Sequence, residues 1–256
     1  GEYKKHSFEI LFIDNNSIIN FEEHAIYFHC SASSIITNNI IETEINNQAR
    51  GITNTCFDNA IVANNNISIT GTTTGSGCCG QEQYFMGIEV HRASVYDNTI
   101  MLYNNHRSCC YDDRTVGICS YQSEIYNNLI DVYDGGEWDN GWDEGAGVYC
   151  EGEEEFKCNI HDNTITARDY TRGINTGSWA DIYDNTLIGI DNNNWAIYSE
   201  QYATVQNNTA TNFALGIHMD GGRDAIIENN YIEHRGWGLY AEGSYGEYVL
   251  RNNEFV

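Results

Sequence analysis

The chain has 256 residues and a formal net charge of −25, because 12 Lys and Arg residues stand against 37 Asp and Glu residues. This charge argues against nucleic acid as a partner, since a duplex is bound through clustered basic side chains that release its counterions. No run of about 18 apolar residues is present, so no membrane insertion is expected, yet 41% hydrophobic residues suffice for a packed core.

Asn-Asn and Asp-Asn dipeptides recur along the whole chain. The spacing between their second residues ranges from 22 (Asn163 to Asn185) to 35 (Asn128 to Asn163). Asparagine favours turns and left-handed backbone over helix interiors, so each pair predicts a corner. Self-similarity of this kind indicates a repeat architecture. The ten copies are Asn16, Asn39, Asn65, Asn98, Asn128, Asn163, Asn185, Asn208, Asn230 and Asn253.

Apolar residues flank each corner with the period of a strand. Three residues before the asparagine they are Ile13, Ile36, Val62, Val95, Ile125, Ile160, Ile182, Val205, Ile227 and Leu250. Two residues after it they are Ile18, Ile41, Ile67, Ile100, Ile130, Ile165, Leu187, Ala210, Ile232 and Phe255. Each repeat therefore begins as strand, corner, strand.

A third strand follows in each complete repeat, opened by a small residue and then an aliphatic one. These openings are Ala25-Ile26, Gly51-Ile52, Gly87-Ile88, Gly117-Ile118, Gly147-Val148, Gly173-Ile174, Ala196-Ile197, Gly216-Ile217 and Gly238-Leu239. Stacked repeats pair every strand in parallel with its equivalent above and below. We predict an all-β fold, a single domain over residues 1–256 with about ten rungs of three strands.

The motif A-x-I-x-N-N-x-I, seen in residues 180–187 as Ala-Asp-Ile-Tyr-Asp-Asn-Thr-Leu, resembles the repeat of right-handed parallel β-helix proteins of the pectate-lyase-like and NosD-like kind. The resemblance covers nearly the whole chain and implies a right-handed parallel β-helix. It implies no single function, because this scaffold carries lyases, hydrolases, adhesins and structural proteins. The polygalacturonase-like motifs are not present in order, which argues against that activity.

Nine cysteines favour an oxidising compartment, and we expect a mature extracellular protein. Cys30 and Cys56 each lie five residues after an opening residue, Ala25 and Gly51, so they should stack about 4.8 Å apart, within disulfide reach. Cys158 falls among small inward positions and is expected to be a buried free thiol.

Three consecutive repeats are lengthened within residues 66–86, 99–116 and 129–146. Because rungs stack, these insertions should project side by side as one lobe of the domain. Their cysteines suit two disulfides between loops, or bonds to a neighbouring molecule. They are Cys78, Cys79, Cys109 and Cys110.

The third insertion is rich in Gly and acidic residues. Asp139, Asp143 and Glu144 are candidate ligands, because hard cations such as Ca²⁺ prefer oxygen donors. A solvated acidic loop or a partner-docking loop explains the composition equally well, and the spacing differs from that of an EF-hand. No motif in the sequence requires a cofactor. Ca²⁺ is the ion that these acidic residues could bind.

Glu200, Asp220 and Glu242 each lie four residues past an opening residue, on three successive rungs. Side chains one and two strand spacings apart, about 5 and 10 Å, bracket the carboxylate separations of glycosidases. An outward row two residues earlier consists of Tyr198, His218 and Tyr240. We favour carboxylates that splay into water, and a Ca²⁺ bound by the trio is a further reading. The enzymatic alternative uses the three carboxylates with His218, and a glycan-binding alternative uses Tyr198 and Tyr240.

Asn15, Asn66 and Asn207 begin N-glycosylation sequons. Three sequons are expected by chance in a chain this rich in asparagine. They therefore add little to the expectation of an extracellular location.

The repeat begins by Ile13 and stops within a rung at residues 252–256, and the sequence shows no capping segment at either end. Unpaired strand edges at both ends would associate head to tail, which produces rings or filaments. In composition and cysteine usage the chain is similar to archaeal surface sheath or filament proteins. If the chain is one domain of a longer protein, its uncapped ends do not indicate head-to-tail association.

The function that these features favour is a secreted structural protein that self-assembles into a filament, tube or sheath. The expected binding partner is another copy of the same chain, and we expect no catalytic role for the protein. The alternatives are an extracellular polysaccharide-active enzyme, either glycoside hydrolase or lyase, and a glycan-binding adhesin.

Overall fold

A computed structural model describes residues 10–29, 33–45, 48–55, 59–72, 84–105, 114–134, 145–190, 194–221, 223–243 and 246–256. The regular structure in these ranges consists of short β-strands joined by tight corners. Within the same ranges the chain has no helix of the length and apolarity required to span a membrane.

The strands follow one another along the chain at short intervals. In chain order they are β1 Leu11–Asp14, β2 Ser17–Ile19, β3 His24–Phe28, β4 Ser34–Thr37, β5 Ile40–Ile45, β6 Ala49–Asn54, β7 Ala60–Ala63, β8 Asn66–Gly71, β9 Tyr84–His91, β10 Ala93–Tyr96, β11 Thr99–Asn104, β12 Arg114–Tyr121, β13 Glu124–Tyr126, β14 Leu129–Asp134, β15 Ala146–Glu151, β16 Cys158–His161, β17 Thr164–Asp169, β18 Arg172–Thr176, β19 Ala180–Tyr183, β20 Thr186–Ile190, β21 Trp195–Ser199, β22 Thr204–Gln206, β23 Thr209–Phe213, β24 Leu215–Met219, β25 Ala225–Glu228, β26 Tyr231–His234, β27 Leu239–Ala241, β28 Tyr248–Arg251 and β29 Glu254–Phe255.

Every third strand belongs to the same sheet. Sheet A has ten strands from β1 to β28, sheet B has ten from β2 to β29, and sheet C has nine from β3 to β27. All named pairs are parallel, and the register aligns equivalent repeat positions, such as Ile13 with Ile36 and Ile18 with Ile41. The predicted parallel β-helix with three strands per rung is confirmed. The strands make nine complete rungs and a tenth with two strands, close to the ten predicted.

The two residues of each asparagine pair have different roles. The first residue adopts left-handed backbone, as in Asn127 with φ 54°, and turns the chain between sheets A and B. The second residue is stacked, and in the inner rungs it is buried, as in Asn128. The Nδ2 of Asn128 lies 3.0 Å from Oδ1 of Asn163, and its backbone N–H donates to the same oxygen at 3.0 Å. This asparagine ladder runs from Asn16 to Asn253.

The core fills the space between the three sheets with stacked aliphatic columns. In the central rungs Ile125 of sheet A, Ile130 of sheet B and Ile118 of sheet C are all fully buried. Burial of each such side chain contributes roughly 1.5–3 kcal/mol before conformational entropy is counted. The predicted inward positions on both sides of the corner are therefore correct.

Close approach of backbones explains the small residue that the sequence repeats in sheet C, which lies inside most strands rather than at their start, as Gly117 does in β12. A Cβ atom built on Gly117 would lie 2.4 Å from the carbonyl oxygen of Gly147 and 2.6 Å from Cγ2 of Ile130. Both contacts are far inside van der Waals distance. The small residue is thus a packing requirement of the rung.

The cysteine prediction for Cys158 is wrong. Cys150 of sheet C and Cys158 of sheet A form a disulfide with a Cα–Cα distance of 6.2 Å. The chain folds back between them through an antiparallel bridge of Glu153 with Phe156, which brings the two sulfurs together across a corner. Cys158 is buried as predicted, but it is not a free thiol.

Several sequence predictions fall on residues outside the described ranges. The insertion ranges 66–86, 99–116 and 129–146 contribute strands at their edges, while their central residues are not described. The predicted lobe and the disulfides of its Cys78, Cys79, Cys109 and Cys110 therefore stay predictions. The predicted disulfide between Cys30 and Cys56 also lies outside the described ranges.

Candidate functional site

The outer face of sheet C carries aromatic and acidic side chains over its last rungs. The parallel register aligns Tyr198 with His218 and His218 with Tyr240, which confirms the predicted row on β21, β24 and β27. Tyr198 meets His218 edge to face, with 4.8 Å between ring centroids. Tyr240 lies 4.9 Å from His218 on the other side. The row is therefore one contiguous set of rings along the solenoid axis.

The three carboxylates follow directly after these strands. The backbone N–H of Asp220 donates to Ser199 O at 2.9 Å, and that of Glu242 donates to Met219 O at 3.0 Å. The parallel ladder therefore continues through the acidic residues, and neighbouring carboxylates start one strand spacing apart, about 4.8 Å. Glu200 begins the same column, with its backbone N–H 3.3 Å from Thr176 O.

Two of the carboxylates are bonded to the aromatic row. The hydroxyl of Tyr198 donates to Oδ2 of Asp220 at 2.7 Å, and the hydroxyl of Tyr240 donates to Oε2 of Glu242 at 3.0 Å. The expectation that the carboxylates splay into water does not hold for half-buried Asp220, whereas Glu200 and Glu242 remain exposed. The structure instead combines the predicted carboxylates and aromatic residues into one arrangement.

Two tryptophans complete the arrangement and were missed in the sequence. Trp195 lies 4.8 Å from the His218 ring, and Trp237 stacks on Tyr240 with 4.9 Å between centroids. Trp195 is nearly buried, whereas Trp237 is 58% exposed. We call the whole set the aromatic–carboxylate surface. It consists of Trp195, Tyr198, His218, Asp220, Trp237, Tyr240 and Glu242.

Pairing between β21 and β24 explains why Trp195 contacts the outward row. The register aligns Trp195 with Leu215 and Ile197 with Ile217, but it skips Ala196 between them. Strict alternation would place Trp195 on the same side as the inward Ile197. Ala196 is the small residue of this repeat. Its place in the sequence is the signal that inward and outward side chains stop alternating at this point of β21.

One basic side chain contacts the site. The guanidinium of Arg172 lies 4.2 Å from the Tyr198 ring centroid, on the rung before it, and the residue is buried. This position packs the cation against the ring face. Arg172 therefore supports Tyr198 from below and leaves the outer carboxylates uncovered.

Burial sets the protonation of the central rings. It lowers the pKa of His218 more than the neighbouring Glu242 and Asp220 raise it. Burial, with the hydrogen bond to Asp220, raises the pKa of the Tyr198 hydroxyl. Near neutral pH the imidazole is accordingly neutral, and Tyr198 keeps the proton that it donates.

Glu200 differs from its two neighbours in environment. Desolvation by surrounding atoms raises its pKa, although part of the side chain remains exposed, and this outweighs a weak hydrogen bond from Ser178 at 3.3 Å. Asp220 adds to the increase through its negative charge. Glu200 therefore holds a proton more readily than an ordinary glutamate.

The two ring nitrogens of His218 are buried, and Nδ1 has no hydrogen-bond partner among the described residues. Its Nε2 lies 3.4 Å from Oε1 of Glu242, at the long end of hydrogen-bond distance. A polar group left in this state at the base of a surface favours an additional partner, such as water or ligand.

The structure gives no support to a calcium site at the carboxylate trio. Within the described ranges, no group of three or more His, Cys, Asp or Glu side chains is arranged to hold a metal ion. The other predicted ligands, Asp139, Asp143 and Glu144, lie outside those ranges.

The sequon asparagines Asn15, Asn66 and Asn207 are all exposed. Asn15 and Asn207 are left-handed corner residues with φ of 56° and 55°. Asn66 begins β8 at the edge of a corner. All three side chains are therefore accessible to modification.

Comparison with known proteins gives a family-model match over the last third of the chain. No curated protein and no solved structure gave a significant match to the chain. Residues 173–256, which contain the whole aromatic–carboxylate surface, match the family model described as right handed beta helix region. The matched residues and the three-sheet coil together confirm the resemblance to right-handed parallel β-helix proteins.

Proposed function

We propose that this protein is an extracellular β-helix that binds glycans through the aromatic–carboxylate surface. The observation that carries the proposal is the exposed Trp237 ring, stacked on Tyr240, whose hydroxyl is bonded to Glu242 at 3.0 Å. A large exposed aromatic face beside fixed hydrogen-bond acceptors is an arrangement that surfaces use for binding.

The chemistry of a pyranose ring fits this arrangement. One face of the sugar presents C–H bonds, which pack on an aromatic ring, while hydroxyl groups project from its rim. Asp220 and Glu242 supply carboxylate oxygens at the rim, in charge-assisted hydrogen bonds. Tyr198 and Tyr240 are two strand spacings apart, about 10 Å, which leaves room for a short oligosaccharide along the axis.

An extracellular location is part of the proposal. The disulfide between Cys150 and Cys158 supports an oxidising compartment.

Binding to soluble oligosaccharides, measured by isothermal titration calorimetry, tests the proposal. Trp237→Ala should abolish measurable binding, because the ring supplies most of the exposed apolar contact. Tyr27→Ala is the matched control, since Tyr27 is an outward aromatic residue of sheet C with 55% of its surface exposed and lies at the other end of the coil, away from the aromatic–carboxylate surface. Equal losses in both variants, or no binding by the wild type, would overturn the proposal.

Hydrolysis of the bound glycan is a second candidate, favoured by the different environments of Glu200 and Asp220. A carboxyl group with a raised pKa, one strand spacing from a second carboxyl group, offers an acid and a base for glycosidic cleavage. Asp220→Asn should then abolish release of reducing ends from a substrate that the wild type cleaves. Binding without any release of reducing ends would dismiss the enzyme and leave the adhesin.

Self-assembly, which the repeat predicts, also remains a proposal for this 256-residue chain. The last described rung leaves an inward position uncovered, because Leu250 is 53% exposed although its register partner Ile227 is fully buried. A second copy stacked on this rung would pair strands and cover Leu250. Filament, tube and sheath are the assemblies that such contacts would build.

A further inference from the structure

We infer that the glycan bound by the aromatic–carboxylate surface carries protonated amino groups, as in a polymer of glucosamine. This inference rests on the proposed function and specifies its ligand. It starts from the charge of the surface, which is carried by Asp220 and Glu242, with Glu200 beside them.

The negative charge of Asp220 and Glu242 is not balanced by the protein. In the described part of the chain, no Lys or Arg lies within ion-pair distance of either carboxylate. Their bonded partners are the neutral hydroxyls of Tyr198 and Tyr240. A carboxylate that accepts only one neutral hydrogen bond retains lone pairs for a positively charged donor.

Groups facing the carboxylates from neighbouring elements do not change this balance. His218 on β24 is 3.4 Å from Glu242, and burial favours its neutral form. Arg172 on β18 is buried against the Tyr198 ring rather than directed at the outer carboxylates. Glu200 after β21 adds negative charge when ionised.

Aromatic faces beside the carboxylates favour the same ligand. An ammonium group is attracted to the faces of Trp and Tyr as well as to carboxylate oxygens. Trp237 and Tyr240 supply such faces, and Glu242 is bonded to the second of them. A single amino sugar can therefore pack its ring on Trp237 and direct its ammonium group toward Glu242 or Asp220.

Acidic polysaccharides are disfavoured by the same charges. A net charge of −25 repels a polyanion at long range, and the site presents no exposed cation to bind a uronate carboxylate. The surface therefore discriminates among glycans by the sign of their charge.

Three hexasaccharides with the same β-1,4-linked backbone test the inference: glucosamine hexamer, N-acetylglucosamine hexamer and cellohexaose. They differ only in the substituent at C2. Calorimetry at mildly acidic pH, where the amines are protonated, should show the glucosamine hexamer binding at least about tenfold more tightly than the other two. This preference should shrink at high ionic strength.

Glu242→Gln and Asp220→Asn should remove the preference for the glucosamine hexamer. Both variants should weaken binding of that hexamer more than binding of cellohexaose, whose hydroxyls lose only the charge assistance of a hydrogen bond. Glu44→Gln, an exposed change on sheet B, is the control for net charge. If Glu44→Gln reduces binding as much as Glu242→Gln does, the attraction is non-specific and the inference is wrong.

Equal affinity for all three hexamers would overturn the inference and leave the proposed function standing. Absence of binding to all three would overturn both. Calcium chloride titrated alone is a further arm, and saturable binding of Ca²⁺ lost in Glu242→Gln would show that the carboxylates serve a metal instead.

Discussion

The hydroxyl of Tyr198 on β21 donates a 2.7 Å hydrogen bond to Asp220, which follows β24 on the next rung. The bond joins a ring of the outward row to a carboxylate of the neighbouring column, so it fixes the direction in which Asp220 faces. The two columns therefore act together, and a change in one alters the other.

Tyr198→Phe removes this bond and keeps the ring under which Arg172 packs. We expect the free energy of unfolding to fall by about 1 kcal/mol. Affinity for the glucosamine hexamer should also fall, because Asp220 is no longer held in place. Tyr183→Phe is the control, since it removes an outward tyrosine hydroxyl of sheet A. Denaturant unfolding and calorimetry of both variants measure the two effects, and an unchanged affinity would contradict the role given to Tyr198.

Asn128→Ala interrupts the asparagine ladder in the middle of the coil. Asn128 is buried, donates to Val95 O at 2.9 Å and accepts from Asn98 Nδ2 at 3.0 Å. Removing it leaves several buried polar groups without partners, each costing about 1–3 kcal/mol, so we expect a loss of at least about 3 kcal/mol.

Asn127→Asp is the matched control for the ladder. Asn127 is the exposed left-handed residue of the same corner, and aspartate tolerates that backbone. Its effect on the urea midpoint should be small. Similar midpoints for the Asn128→Ala and Asn127→Asp variants would argue against a stabilising ladder.

The disulfide between Cys150 and Cys158 closes a short loop with a sequence separation of 8. The double variant Cys150→Ala, Cys158→Ala should lose about 2–3 kcal/mol, chiefly because the unfolded chain regains freedom. Urea unfolding of the wild type with reductant should approach that of the double variant. Unfolding curves that do not respond to reductant or to the substitutions would show that the bond does not stabilise the fold.

The stability of the coil should depend on the protonation of His91. Burial lowers its pKa more than Glu89 raises it, so the folded state takes up this proton at a lower pH than the unfolded chain does. The stability linked to this group is lost as the pH falls below about 6.5.

His91→Phe keeps a ring that can stack on Tyr121, 4.5 Å away in the wild type, and removes the titration. The free energy of unfolding of this variant, relative to the wild type, should rise between about pH 7 and about pH 5. Urea unfolding at both pH values measures the difference. A difference that is independent of pH would contradict the buried neutral imidazole.

Electron microscopy of the 256-residue chain, with and without reductant, tests self-assembly. End-to-end stacking should give fibres or tubes with an axial repeat of roughly 48 Å, which is ten strand spacings. Leu250→Asp should shorten them by placing a charge in the inward column that a stacked copy would cover, whereas Tyr103→Asp, which faces outward in a central rung, should not. Loss of order on reduction would place disulfides between copies. Discrete particles in all conditions would overturn self-assembly and leave glycan binding unaffected.

Fold and site differ in how far the sequence predicts them. The columns around Asn128 and Ile125 were predictable, because each rung repeats the same small set of contacts and ten copies average out local variation. Tyr198, His218 and Tyr240 followed from the same register. Carboxylate orientation did not follow, since the hydrogen bond from Tyr198 to Asp220 crosses between rungs and depends on rotamers that no spacing specifies.

Local departures from the repeat explain why the sequence did not predict the place of Trp195 or the disulfide of Cys158. Trp195 was missed because the pairing skips Ala196, so a period of two fails at that strand. The small inward column predicts burial of Cys158, but it carries no information about the loop that leads into the strand. The actual partner, Cys150, is reached within one rung through the backward fold at Glu153 and Phe156.

The asparagine ladder also gives the coil a polarity. From Asn16 onward each side-chain amide donates to the oxygen of the next, so the amide dipoles point the same way along the axis and polarise one another. One end of the row presents the acceptor of Asn16 and the other the donor of Asn253. Any further rung, from this chain or another copy, can extend the row only in the same sense. Growth by stacking would therefore yield fibres with two chemically distinct tips and no internal two-fold axis.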